Sequence, residues 1–189
     1  MVRELTDGIM LFHGSYCEVQ KADLSRCKKY KDFGKGFYLT SNKEQAKNFA
    51  LLSTSKAIAD GLVSPQQKNG FLSCFRFHPS EMLRTIIFQE ANAEWLHCVV
   101  GHRRKNLFTY LTGQLESFDI IGGKIANDNT NATILAYIAG TFGEIGSTRA
   151  DEICISLLMP ERLKDQYCFR SEKSLACLEW IRSEKVWTR

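Results

Sequence analysis

Short runs of aromatic and β-branched residues alternate irregularly with segments of helical periodicity, and this order constrains the fold more than any other feature. The predicted strands are 8–14, 37–40, 71–78, 84–90, 117–123 and 166–170, and the predicted helices are 42–62, 93–103, 131–142, 147–158 and 171–183. A regular strand-helix-strand repeat would indicate a parallel sheet. Because that repeat is absent, we predict an α+β fold. Without linkers or internal repeats, the 189 residues are expected to form a single domain, 1–189.

Composition narrows the class of protein. The seven cysteines are scattered singly, without CxxC pairs, and no apolar run at the N-terminus resembles a signal peptide. We therefore expect reduced thiols and a cytoplasmic location. No apolar run approaches the roughly 20 residues that a membrane span needs, so no membrane partner is expected. The net charge of +4 permits a polyanionic partner without arguing for one.

The segment KDFGKGFYLT (31–40) places a lysine between two glycines, directly before an aromatic pair. A phosphate loop would need a helix immediately behind the glycines, and the spacing does not match G-x-x-x-x-G-K-[ST]. A strand is predicted there instead. A plain turn that leads to a buried tyrosine remains an alternative. Arg26 and Asp32, which flank the glycines, could pair with a phosphate or with each other, but we favour a position on the solvated surface for both.

Polar groups also follow the first predicted strand, which ends in His13-Gly14-Ser15. A polar side chain and a flexible backbone position at a strand end often face a cleft. Gln166 and Tyr167 open the late strand in a comparable way.

Taken together, these motifs resemble the ADP-ribosyltransferase superfamily of diphtheria toxin and the poly-ADP-ribose polymerases. FHGSY, DFGKGFYLT, the QA of EQAKNFA, EWL, DIIGGKIAND and the segment from QYCF to SLACL further resemble an uncharacterised bacterial family of that superfamily, over about residues 9 to 181. The resemblance implies an ADP-ribosyltransferase-like split antiparallel β-sheet core with surrounding helices. It also implies NAD as co-substrate, a macromolecular acceptor, and pairing with an antitoxin protein.

The resemblance assigns roles residue by residue. His13 corresponds to a histidine that hydrogen-bonds the adenosine ribose, and Gly14 to the backbone that binds the nicotinamide amide. Tyr38 corresponds to an aromatic ring that stacks on nicotinamide, and Phe49 to a second ring. The remaining residues that it assigns to cofactor binding are Ser15, Gly36, Phe37 and Asn127.

Gln166 departs from the pattern, because the superfamily carries a catalytic glutamate there. An amide can accept a hydrogen bond from a ribose hydroxyl but supplies no negative charge. Three alternatives stay open: catalysis with Gln166, a carboxylate recruited from elsewhere, or binding without catalysis. Asp128 is the candidate for recruitment, although Asp and Asn are also common helix caps. Asp165 is disfavoured, because neighbouring strand residues point to opposite faces.

Metal ligands are weighed separately. His97, Cys98 and His102 fall close together, and Cys74 lies four residues before His78, yet neither group has the paired spacing of a zinc site. We therefore predict no metal. Two further hypotheses compete with the transferase: a catalytically silent NAD-binding or protein-interaction module, and a nucleotide phosphotransferase that uses Lys35 on a phosphate.

Overall fold

The structure is a computed structural model that describes residues 2–125, 128–159, 161 and 163–187. The described residues form seven strands and six α-helices, together with a short 3₁₀ helix at Leu24–Arg26. The strands are β1 (Met10–Ser15), β2 (Phe37–Leu39), β3 (Asn69–Phe77), β4 (Thr85–Ile87), β5 (Ile120–Lys124), β6 (Asp165–Phe169) and β7 (Leu178–Trp187). The helices are α1 (Lys43–Ala59), α2 (Ala93–Arg103), α3 (Thr109–Leu115), α4 (Asp128–Ile138), α5 (Thr148–Leu158) and α6 (Glu172–Leu175). The predicted α+β fold is confirmed.

The strands form two mostly antiparallel sheets. The first has the order β1-β3-β7 and the second the order β2-β6-β5-β4, in which only β4 and β5 run parallel. A single antiparallel bridge between Phe12 and Thr40 joins β1 to the end of β2. Strands that are far apart in sequence, β1, β2 and β6, are therefore neighbours where the two sheets meet.

Two hydrophobic clusters form most of the core. One lies where α2, α4 and α5 cover the second sheet and includes Trp95, Ile121 and Ile134, all fully buried. The other contains side chains of both sheets, such as Leu11, Leu39 and Tyr167. A side chain of this size contributes about 1.5 to 3 kcal/mol when fully buried, so the sheets and helices are held in place around the junction of β1, β2 and β6.

Helix α1 packs unusually close to the first sheet. Its buried face consists of small residues, Ala46, Ala50, Thr54 and Ala57. A Cβ atom added to Gly14 of β1 would lie 2.7 Å from the Ala50 nitrogen and closer still to the Ala46 carbonyl oxygen. Only glycine at this strand position therefore allows the helix to approach as it does.

Two neighbouring polar residues at the N-terminus of α1 have different partners. Asn42 is the N-cap, and its side-chain oxygen accepts a hydrogen bond from the Gln45 backbone N–H at 2.9 Å. Ser41 instead donates both its backbone N–H and its hydroxyl to the carboxylate of Asp165. Ser41, with Glu44 three residues later, has the sequence pattern of a capping box, but its side chain is bonded to β6 instead.

The predicted closing helix, 171–183, is wrong. Only α6 is helical, and β7 then pairs with β3 along its whole length. The register shifts between Cys74 and Phe75, whose partners are Arg182 and Trp180, so Ile181 is the extra residue of a β-bulge. A bulge breaks the two-residue alternation that identifies a strand in sequence.

Helix α3 was not predicted either. It contains Gly113 and begins after Phe108, whose φ is +49°.

Candidate functional site

His13 is held by β2 rather than by its own strand. Its Nδ1 lies 2.8 Å from the backbone carbonyl oxygen of Tyr38, and its ring centroid lies 4.5 Å from that of Phe37. A carbonyl can only accept, so Nδ1 carries the proton and donates it. Burial lowers the pKa of His13, against a smaller opposing effect of this hydrogen bond. The imidazole is therefore neutral near pH 7, with Nε2 as a hydrogen-bond acceptor.

The hydroxyl of Tyr38 fixes the glycine-rich segment in front of it. It donates to the Gly34 carbonyl oxygen at 2.7 Å and accepts from the Phe33 backbone N–H at 3.0 Å. Burial, and then the neighbouring Cys168 thiol, raise the pKa of Tyr38 well above its ordinary value. The phenol therefore stays protonated and acts as a structural donor, while its ring is half-buried beside the site.

The two glycines of this segment permit close packing. Gly34 has a φ of +81°, and an added Cβ would lie 2.7 Å from the His102 ring. An added Cβ on Gly36 would lie 2.6 Å from the Phe169 carbonyl oxygen. Strand β2 follows, and α1 begins only at Lys43, so no helix N-terminus stands directly behind the glycines. This geometry favours a packed turn over a phosphate loop.

The other residues that the resemblance assigns to cofactor binding lie in different surroundings. Gly14 faces α1, Ser15 and Phe37 are buried, and the side chain of Phe49 on α1 is 48% exposed. Asn127 and the side chain of Asp128 lie outside the part of the chain that the structure describes; the backbone of Asp128 begins α4.

Gln166 lies on the same face of the second sheet as Tyr38. Tyr38 pairs with Cys168, and Gln166 is two residues before Cys168 on β6, opposite Gly123 of β5. The ring of His13 lies on the side of Phe37, the neighbour of Tyr38. The fold thus brings the three strands together, with Tyr38 and Gln166 on one face and His13 at the boundary between the sheets.

A comparison with protein families finds one profile that matches most of the chain. A profile described as "Protein of unknown function (DUF3990)" matches residues 9–180. The chain belongs to the DUF3990 family. A search of curated proteins gives no match. The family match spans the strands that carry His13, Tyr38 and Gln166, so all three belong to the part of this DUF3990 protein that defines the family.

Asp165, next to Gln166, has a structural role in this DUF3990 protein. Its carboxylate accepts hydrogen bonds from the Thr40 hydroxyl at 3.0 Å and from the Ser41 backbone N–H at 2.8 Å. Gln45 of α1 also donates to its backbone carbonyl at 3.4 Å. These bonds position the start of β6, and with it Gln166, against the N-terminus of α1.

Two features near the N-terminus of α1 and the start of β6 were not predicted from the sequence. A polar pocket of about 300 Å³ is lined by Ser41, Asn42, Lys124, Glu161, Leu163, Lys164 and Asp165. The side-chain oxygen of Gln45 is buried and has no hydrogen-bond partner among the described residues. Both depend on contacts between segments more than 100 residues apart, for which a single sequence carries no signal.

Asp32 differs from its assignment to the solvated surface. It is 7% exposed, and its carboxylate accepts from the guanidinium of Arg103 at 2.7 and 2.9 Å. This ion pair ties the segment before the glycines to the C-terminal end of α2.

Within the described residues, no three His, Cys, Asp or Glu side chains are arranged to hold a metal ion, and no helix is long and apolar enough to cross a membrane.

Proposed function

We propose that this protein is an NAD-dependent mono-ADP-ribosyltransferase that transfers ADP-ribose to a macromolecular acceptor and releases nicotinamide. The observation that supports it is the adjacency of β1, β2 and β6, which carry His13, Tyr38 and Gln166. The superfamily that the sequence resembles carries its histidine, tyrosine and glutamate on three separate strands in the same chain order.

The surroundings of these residues suit an extended dinucleotide. The Nε2 atom of neutral His13 is an acceptor for a ribose hydroxyl, while the rings of Tyr38 and Phe49 are candidates for stacking on nicotinamide. A planar cation beside aromatic rings gains about 1 to 2 kcal/mol. Because NAD is long, His13 and Tyr38 need not share a face; they contact different parts of it.

The amide at Gln166 sets the expected rate. Cleavage of the bond between nicotinamide and ribose develops positive charge on the ribose, which a carboxylate stabilises better than an amide. Loss of one preorganised electrostatic group costs about 2 to 4 kcal/mol in the transition state. We therefore propose slow turnover by the wild-type protein, unless the carboxylate of Asp128 supplies the missing charge.

The test measures nicotinamide release from NAD by chromatography and NAD binding by calorimetry. The variant Gln166→Glu should release nicotinamide about 30 to 1,000 times faster than wild type, the factor that corresponds to 2 to 4 kcal/mol. Gln114→Glu makes the same chemical change at an exposed position on α3 and should leave the rate unchanged. If neither wild type nor Gln166→Glu binds NAD, the proposal fails.

A second candidate, the catalytically silent module, is favoured by Gln166 itself. It predicts that wild type binds NAD without consuming it and that Gln166→Glu is equally inactive.

The transferase is further proposed to act in the cytoplasm as a toxin restrained by an antitoxin protein. Expression should then arrest growth, and His13→Ala, which removes the Nε2 acceptor, should relieve the arrest at an equal level of folded protein.

A further inference from the structure

The net positive charge of the protein is concentrated in residues 21–35, within the segment between β1 and β2. Residues 21–35 contain six basic residues (Lys21, Arg26, Lys28, Lys29, Lys31, Lys35) and two acidic ones (Asp23, Asp32). The whole chain has 25 Lys and Arg against 21 Asp and Glu, so the remaining residues contain 19 of each. The excess of positive charge is therefore local, although the net value of +4 looks unremarkable.

The fold concentrates this charge further. Asp32 is turned inward to Arg103, so one of the two local carboxylates is withdrawn from the surface. The ammonium of Lys105, two residues after the end of α2, lies 5.5 Å from the centre of the Tyr30 ring. Partial burial lowers the pKa of the Lys31 ammonium; the carboxylate of Asp32 opposes this shift, and the nearby cationic side chains, Lys28 among them, add to it. We call the exposed residues Lys28, Lys29, Tyr30, Lys31, Lys35 and Lys105 the basic loop surface.

The basic loop surface adjoins the candidate site. The hydroxyl of Tyr38 bonds to the backbone at positions 33 and 34, immediately beside Lys35. Tyr30, within the surface, is 53% exposed. The cations and the exposed Tyr30 ring therefore lie together on the segment that leads into β2.

We infer that the basic loop surface binds single-stranded nucleic acid and presents it as the ADP-ribose acceptor. This inference rests on the proposed function for the transfer step, but not for binding. Lysines attract the phosphate backbone, and exposed rings stack on unpaired bases, whose faces a duplex hides. An acidic protein would match the charge but would offer no planar base to stack on the exposed ring of Tyr30.

The transfer step balances without any additional reagent. The bond between the ribose anomeric carbon and the nicotinamide nitrogen breaks, and its electron pair leaves with nicotinamide. A lone pair on a nitrogen or oxygen atom of the nucleic acid forms the new bond to that carbon, and the same atom releases its proton to solvent.

The binding test uses fluorescence anisotropy with labelled 20-nucleotide oligo(dT) and oligo(U) between 0.05 and 0.3 M salt, roughly the range in which phosphate contacts dominate affinity. The slope of log K against log salt should be about −3 for four contacts, at 0.7 per contact. The triple variant Lys28→Gln, Lys29→Gln, Lys31→Gln should make the slope shallower by about 2, to about −1. Its affinity should fall about 100-fold at 0.1 M salt. The matched control, Arg149→Gln, Lys173→Gln, Lys185→Gln, removes the same charge from exposed positions elsewhere and should bind like wild type.

A separate variant tests whether the ring of Tyr30 stacks on bases. Tyr30→Leu should weaken oligonucleotide binding about 5-fold or more, since each base stacked on an aromatic ring contributes about 1 to 3 kcal/mol. The same variant should leave the binding of poly-glutamate unchanged. If poly-glutamate of equal charge competes as well as the oligonucleotides, or if both triple variants lose affinity alike, the inference is overturned in favour of an acidic protein partner or of nonspecific attraction.

Labelled NAD separates this inference from the proposed function. Transfer of label to oligo(dT) or oligo(U), lost in the loop variant and kept in the control, supports both and distinguishes DNA from RNA. Oligonucleotide binding with the expected slope but no NAD binding refutes the transferase and leaves the nucleic-acid surface standing. NAD consumption with label on protein alone refutes the nucleic acid as acceptor and leaves the transferase standing.

Discussion

Replacing Gly14 by alanine should push helix α1 away from the first sheet. The new Cβ would lie 2.7 Å from the Ala50 nitrogen and closer still to the Ala46 carbonyl oxygen, whereas ordinary van der Waals contact begins at 3.4 Å. Both obstructing atoms belong to the helix backbone, so no side chain can rotate to make room. The helix must move by at least about 0.7 Å. Overpacking of a well-packed interface costs about 1 to 3 kcal/mol, and because two backbone contacts are involved we expect about 3 kcal/mol.

Urea unfolding of wild type and variant measures this loss. Gly113→Ala is the matched control, because the same methyl group would meet no atom within 4 Å inside α3, and helix propensity should then stabilise the protein by about 0.5 to 1 kcal/mol. The two substitutions should therefore change stability in opposite directions. If Gly14→Ala costs less than about 0.5 kcal/mol and only weakens NAD binding, glycine is required there for the ligand and the packing argument is wrong.

Two further predictions concern the neighbours of Gly14. Tyr38→Phe leaves the buried Phe33 N–H without its acceptor and should lower the free energy of unfolding by about 1 to 3 kcal/mol, measured by thermal or urea denaturation. Because burial lowers the pKa of His13, the unfolded chain binds more protons just below its ordinary value of 6.5, and stability should fall as pH drops through that range. Urea unfolding at pH 7.5 and 5.5 should show a smaller fall in His13→Gln; an equal fall would assign the pH dependence to other groups.

Much of the fold was predictable because its signals are local. Helices α1, α2 and α5 carry small or apolar residues at helical spacing and have Asn or Ser N-caps, and the predicted bounds agree to within about three residues at each end. Strand β7 was not predictable in the same way. It is an edge strand with polar residues on both faces, and the bulge at Ile181 interrupts its alternation. Its pairing with β3, about 110 residues earlier in the chain, determines its conformation.

In the candidate site too, some features follow from the local sequence and others depend on long-range contacts. The residue types at His13, Tyr38 and Gln166 can be read from the sequence, but their adjacency depends on the bridge between β1 and β2 and on the pairing of β2 with β6. Asp32 illustrates the limit most clearly. It follows Lys31 and was assigned to the solvated surface, yet it is buried and paired with Arg103, 71 residues away in the chain.

The double role of Tyr38 determines which variant can test the proposed site. Tyr38→Ala would remove the ring that is proposed to contact nicotinamide and also the hydroxyl that fixes the basic loop surface, so a loss of activity would not distinguish the two effects. Tyr38→Phe keeps the ring and removes only the hydroxyl. NAD binding should therefore survive in this variant, while oligonucleotide affinity falls because the loop is no longer held. If NAD binding falls and oligonucleotide affinity does not, the hydroxyl acts on the dinucleotide, and the loop is held by Asp32 and Arg103 without it.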